Sequence, residues 1–267
     1  MRYAFVFVLI QFWAAIASAE DHQVSHKDYV LGNSLLTLYH EFGHALVDNL
    51  NLPVLGREED AVDFFSILMI ENKFHSKVIT QSQEVQLDDF LWSTADVWLA
   101  YAESEEGEES NFASEHSLDM QRFNSHICLV YGSDPDFYSN LIQDFELEET
   151  EFENCEDRFS RIEASWMSVL EPSLQQGSDP NDDNEILVFI HEPNNPELKP
   201  FFDWVRNWPW LVDLQTSLSS TLILPKPITL SITECGEPNA FFDSEDNGIT
   251  LCYELMAEYS EFYHQLQ

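Results

Sequence analysis

The chain has 267 residues, 44% of them hydrophobic and 13% aromatic, with 49 Asp and Glu against 11 Lys and Arg and a formal net charge of −38. The apolar content excludes a generally disordered chain and suffices for a large domain with a filled core. The negative field weighs against nucleic acid and anionic membranes as partners, and we read it as a solvated, salt-tolerant surface.

The amino terminus, MRYAFVFVLIQFWAAIASAE, has Arg2, an apolar run from Tyr3 to Ala17, and the small-x-small pattern Ala17-Ser18-Ala19. These features predict a secretory signal over 1–19, cut after Ala19. The run falls short of the ~20 residues a membrane span needs, so no stable span is expected after cleavage. The mature chain is therefore expected to be exported, periplasmic or extracellular. Thiols in such compartments tend to end as disulfides, and four cysteines allow three connectivities. Cys128 with Cys155 and Cys235 with Cys252 is the favoured set, because each pair closes a short loop. No CxxC pair suggests a cysteine metal site.

From Lys27 to Leu50, apolar residues recur at three- and four-residue steps (Val30, Leu31, Leu35, Leu38, Phe42, Ala45, Leu46), which predicts a helix with one apolar face. Pro53 and Gly56 break it, and a second helix is expected from about Arg57 through Met69. Two more, about Leu87 to Tyr101 and Leu118 to Val130, are separated by ESEEGEESNFASEHS, a surface loop by composition. A further acidic stretch precedes a helix at Phe159 to Leu170, and QQGSDPNDDNE follows as a turn-rich linker. Its Asp residues lack EF-hand spacing, which favours a solvated turn over a calcium loop. Strand signals come only after it: Ile186 to Ile190, Leu222 to Ile232, and a hairpin in AFFDSEDNGITLCYE with Asn247-Gly248 at its turn. The aromatic cluster of Trp204, Trp208 and Trp210 reads as core or cleft wall, and His126 and His191 as ordinary polar residues.

The first helix carries YHEFGHALVDN. A chance HExxH is expected only roughly 0.03 times in a chain of this composition. His40 and His44, four apart on a helix, point the same way and can present their imidazoles to one ion. Glu41 sits beside that ion without being needed as a ligand, the place for a base acting on an activated water. A catalytic zinc site needs a third protein ligand, and GREEDAVD on the next helix offers one. Glu59 and Asp63 are one turn apart, so Glu59 is expected as the ligand while Asp63 accepts the free N–H of a histidine, His40 by preference. Glu58 and Asp60 are expected as surface acids. The oxyanion stabiliser is left open among His116, Tyr131, Asn239 and Tyr253, each able to donate a hydrogen bond.

The stretch GNSLLTLYHEFGHALVDNLNLPVLGREEDAVDFF resembles a family of zinc metallopeptidases first known as a domain of unknown function. EHSLDMQRFNSHICLVYGSDP, ENCEDRF with SWMSVL, and LPKPITLSITECGEPNAFFDSEDNGITLCYEL extend the similarity over most of the mature chain. The resemblance implies a gluzincin-like layout and peptide-bond hydrolysis, with His40, His44 and Glu59 holding one Zn2+ and Glu41 as base. It implies a peptide or protein substrate but does not say which one.

Gluzincin folds place a sheet before the motif helix, and here barely twenty mature residues precede His40. The strands at Leu222 to Glu254 are therefore expected to fold back beside that helix. The fold class is α+β: a mainly helical metallopeptidase lobe (20–172), a linker (173–184), and a carboxyl-terminal α/β part (185–267) whose small sheet or hairpin completes the same catalytic domain. The competing class is an exported protein that binds metal or a partner without turnover.

Overall fold

A computed structural model of the chain describes residues 24–71, 81–104, 115–145, 147–148, 150, 152–174 and 186–265. The signal segment at 1–19, the acidic stretch at 105–114 and nearly all of the linker lie outside the described residues.

Helix α1 (His26–Leu50) starts at Ser25, whose hydroxyl accepts the Asp28 backbone N–H at 3.1 Å, and stops at Asn51, which takes left-handed angles. The sequence predicts one apolar face, whereas α1 is buried on nearly every side from Tyr29 to Leu46. The correction has a physical reason: helices pack against it on one side and strands on the other. Two of its buried polar side chains donate to backbone carbonyls. Asn33 Nδ2 donates to the Tyr29 and Ser93 carbonyls, and Ser34 Oγ to the Val30 carbonyl.

After the break, α2 (Glu58–Ile70) packs along α1, with α3 (Gln81–Ser104) on another flank. The close fit of α1 and α2 depends on Gly43, where a Cβ would lie 2.8 Å from both Cβ and Cγ1 of Val62. Helix α4 (Asp119–Ser133), the short α5 (Leu141–Asp144) and α6 (Cys155–Leu170) complete the amino-terminal layer. The Cys128–Cys155 disulfide joins α4 to the start of α6.

The carboxyl-terminal part contains β1 (Ile186–Ile190), α7 (Lys199–Val205), α8 (Pro209–Thr221), β2 (Ile228–Thr233), β3 (Ala240–Asp243), β4 (Gly248–Cys252) and α9 (Tyr253–Gln265). The sheet order is β1-β2-β4-β3; the first three strands run parallel and β3 pairs antiparallel to β4 as an edge. Alternation in β2 buries Ile228, Leu230 and Ile232. The predicted strand from Leu222 begins only at Ile228, because Pro225 and Pro227 cannot donate to a ladder. The hairpin turn occupies 244–247, and Asn247 takes positive φ directly before β4. Helices α7, α8 and α9 were not assigned from periodicity; Trp208 and Trp210 lie in the core.

The second disulfide, Cys235–Cys252, closes the ends of β2 and β4. The strands do fold back onto the motif helix: β3 and β4 pack against α1. Asn49 Nδ2 on α1 donates to Asn247 Oδ1 at 2.7 Å, and Asn247 Nδ2 donates to the Pro227 carbonyl at 2.6 Å, which pins the hairpin there. One buried apolar cluster runs from Tyr29 to Phe262 through both parts. The architecture is mainly helical α+β with a small four-stranded sheet. Among the described residues, no helix is long and apolar enough to cross a membrane.

Candidate metal centre and cleft

One helical turn on α1 brings the rings of His40 and His44 to 4.9 Å between centroids, with their Nε2 atoms 3.3 Å apart. The amino-terminal turn of α2 places Glu59 Oε2 3.2 Å from His40 Nε2 and 3.4 Å from His44 Nε2. Ligand atoms at ~2.1 Å from a tetrahedral zinc stand ~3.4 Å from one another, so these three separations match three corners of such a site. Glu59 Oε2 is also buried, with the Nε2 atoms of three imidazoles, His40, His44 and His116, at 3.2, 3.4 and 2.9 Å around it. A buried carboxylate oxygen is expensive unless a positive group faces it, and a cation between it and the ring nitrogens would supply that charge. The donor set therefore fits a divalent metal.

The outward nitrogens point the same way chemically. His40 Nδ1 lies 2.8 Å from Asp63 Oδ1, and His44 Nδ1 lies 2.8 Å from Glu58 Oε1. With Nδ1–H donating to a carboxylate, each ring turns a lone pair on Nε2 inward. Glu58 is thus not simply a surface acid; it orients His44, although its side chain is 45% exposed. Asp60 also differs from expectation, since it accepts the Ser117 hydroxyl at 2.6 Å. Arg57 Nη1 donates to the His116 carbonyl and to Ser117 Oγ, so the 115–118 segment is tied to the start of α2. That tie sets His116 Nε2 2.9 Å from Glu59 Oε2, and His40, Glu59 and His116 form a further group able to hold an ion.

The charges at the centre are interlocked. Burial opposes ionisation of Glu59, but His116, His40 and His44 outweigh it and hold its carboxyl far below the usual range. Without a metal, burial works against a charge on His40, yet Asp63 and Glu59 push its pKa up to about 9, and a cation at Nε2 would take the place of that proton. Glu41 is buried, and that burial raises its pKa, partly opposed by His40 and His44. The Phe242 backbone amide faces the Glu41 carboxylate from β3.

Two cavities of ≈ 420 and ≈ 890 Å3 meet at His40, Glu41, His116 and Ala240. Ala240, Phe241 and Phe242 of β3 line the larger one, so the edge strand forms a cleft wall next to the motif helix. Among the four candidates for an oxyanion partner, His116 and Asn239 reach the cleft. Tyr131 packs edge-on against Phe152, and Tyr253 donates to the His191 carbonyl; neither lines either cavity. His126 is buried beside Thr94 Oγ1, with burial lowering its pKa to about 4, so it is a neutral structural residue.

The sequence did not reveal Glu58 as a histidine partner, nor Arg122, whose guanidinium lies on Asp63. Helical spacing carries no signal for a contact between elements this far apart in the chain.

A helical α+β scaffold here gathers two histidines of an HExxH turn and a carboxylate from the next helix beside an edge strand, an arrangement compatible with a metallopeptidase. Residues 1–170 and 190–267 match a family described as "putative metallopeptidase", and the chain belongs to that family. Comparison with curated proteins and with solved structures returns no match.

Proposed function

We propose that the protein is an exported zinc-dependent peptidase of gluzincin type. His40, His44 and Glu59 would hold the ion at the edge of the cleft. Zinc in such a site supplies Lewis acidity toward a scissile carbonyl and makes water a competent nucleophile near neutral pH. Glu41 takes the proton of the attacking water at its carboxylate and returns it to the leaving amine; its buried, raised carboxyl suits both transfers. The outer edge of β3 pairs with the substrate backbone and lays the chain across Glu41. His116 or Asn239 donates to the oxygen that gains charge. Two disulfides agree with the signal-like amino terminus in supporting export.

The observation that carries this reading is the buried Glu59 Oε2 within 3.4 Å of both motif histidines, at the separations expected between ligands of one tetrahedral ion. The test combines metal analysis of the mature protein with cleavage of an unbiased peptide library, with and without chelator. Stoichiometric zinc and chelator-sensitive cleavage are expected, with Glu41→Gln retaining zinc while losing ~10²–10⁴-fold in rate. A chain that binds no zinc would remove the proposal.

A second reading, metal binding without turnover, is favoured by one feature. His116 stands within reach of the same ion, and four protein ligands would close the site. It predicts stoichiometric zinc, no cleavage by the wild type, and no functional change in Glu41→Gln.

A further inference from the structure

Resting on the zinc reading, we infer that Arg122 is a positioning residue for the metal centre: its guanidinium clamps Asp63 and thereby fixes the ring of His40. The geometry is a relay across four helices. Trp98 on α3 supports the guanidinium, whose carbon lies 3.6 Å from the ring centroid. Arg122 on α4 then donates Nε to Asp63 Oδ2 at 2.8 Å and Nη2 to Asp63 Oδ1 at 2.7 Å. Asp63 on α2 gives the same Oδ1 to His40 Nδ1 at 2.8 Å. The exposures of Arg122, Asp63 and His40 side chains are only 12%, 16% and 10%.

A two-pronged contact fixes the plane of a carboxylate as well as its position, which a single hydrogen bond or a lysine point charge does not. With that plane fixed and Trp98 covering a face of the guanidinium, Asp63 Oδ1 has one direction left in which to accept the imidazole N–H. The His40 Nε2 lone pair is then aimed at the corner it shares with Glu59. The His44 side has no such backing: its partner Glu58 is 45% exposed. One histidine is held stiffly from the interior, and the other by an acid at the surface.

The same contacts would also exist if Arg122 merely joined α4 to α2 as a buried ion pair. The two roles separate in a double-mutant cycle on the mature chain. It uses Arg122→Met, Arg122→Lys, Asp63→Asn and the Asp63→Asn/Arg122→Met pair. Zinc dissociation constants come from competition with a chromophoric chelator, melting temperatures from metal-free protein, and ligand geometry from the visible spectrum of the cobalt-substituted form.

A positioning role predicts that Arg122→Met and Asp63→Asn each weaken zinc binding by ~10–100-fold, the range found for partners of metal-bound histidines. Arg122→Lys should fall between, retaining charge without the fork. In the Asp63→Asn background, Arg122→Met should change affinity less than ~2-fold, because its effect runs through the missing carboxylate. The cobalt spectrum should shift in Arg122→Met. If Arg122→Met fails to fold, the Arg122→Lys and paired variants, which leave no unpaired buried charge, carry the same comparison. Independent, multiplicative losses in the cycle, or zinc affinity unchanged in Arg122→Met or Arg122→Lys while stability falls, would overturn the inference and leave the peptidase reading intact. Absence of zinc binding by the wild type would overturn both.

Discussion

Gly43, inside the HExxH turn, faces Val62 on α2 so closely that a methyl group at Gly43 would lie 2.8 Å from the Val62 Cβ. The nearest atoms belong to the stem of a branched side chain, which cannot swing away as a flexible tip would. The contact sits between His40 and His44 on one helix and between Glu59 and Asp63 on the other, so it sets how closely the carboxylates approach the imidazoles.

Gly43→Ala should therefore push α2 outward and affect metal before anything else. The expected result is a stability loss of ~1–3 kcal/mol, typical of overpacking, together with weakened zinc binding. Thermal unfolding and chelator competition on the same sample check it. A variant that binds zinc like the wild type would show that the spacing is set elsewhere.

Glu58→Gln should weaken zinc binding by less than ~10-fold, at or below the low end for outer partners of metal-bound histidines. Glu58 is 45% exposed, and water can take over much of its role toward His44 Nδ1. An effect as large as that of Asp63→Asn would contradict the asymmetry between the two histidines. Chelator competition under identical conditions decides it.

Burial raises the Asp96 carboxyl to about 7, from about 3.9 in an unfolded chain. Below about pH 4 both states carry the proton and the group has no effect. Between about pH 4 and pH 7 the unfolded chain releases its proton while the folded one keeps it, so stability falls as pH rises and the full penalty stands above pH 7. That penalty is on the order of 4 kcal/mol. Asp96→Asn should accordingly raise the melting temperature of metal-free protein near pH 8 and have little effect near pH 4. An equal gain at both values would rule out protonation as its cause.

Removing the Cys128–Cys155 link by paired Ser substitution should lower stability by ~3–4 kcal/mol, the chain-entropy value for a loop of this length. The link spans 27 residues and holds α4, the helix that carries Arg122, against α6. Denaturant unfolding of the double variant measures the loss, and its zinc affinity should fall as well.

Much of the centre was legible in the sequence because its first part is local. The period of α1 puts His40 and His44 on one side of a helix. The Pro53 and Gly56 break returns the chain within a few residues, and one turn of α2 separates Glu59 from Asp63. Strand signals lie only in the carboxyl-terminal part, and β3 lies beside α1. The helices at 199–221 and 253–265 were missed because Pro200, Pro209 and mixed aromatic residues obscure a clean period.

By itself, then, the sequence determined the main amino-terminal helices and the chemistry within one or two helical turns, since backbone geometry fixes which side chains at three- and four-residue spacing share a face. Only the tertiary structure decided which acid meets which ring. Glu58 faces His44, Arg122 lies on Asp63 from 59 residues away, and His116 is drawn to Glu59 by Arg57, Asp60 and Ser117. Those pairings depend on how helices pack against one another, and packing is settled by the whole buried surface at once.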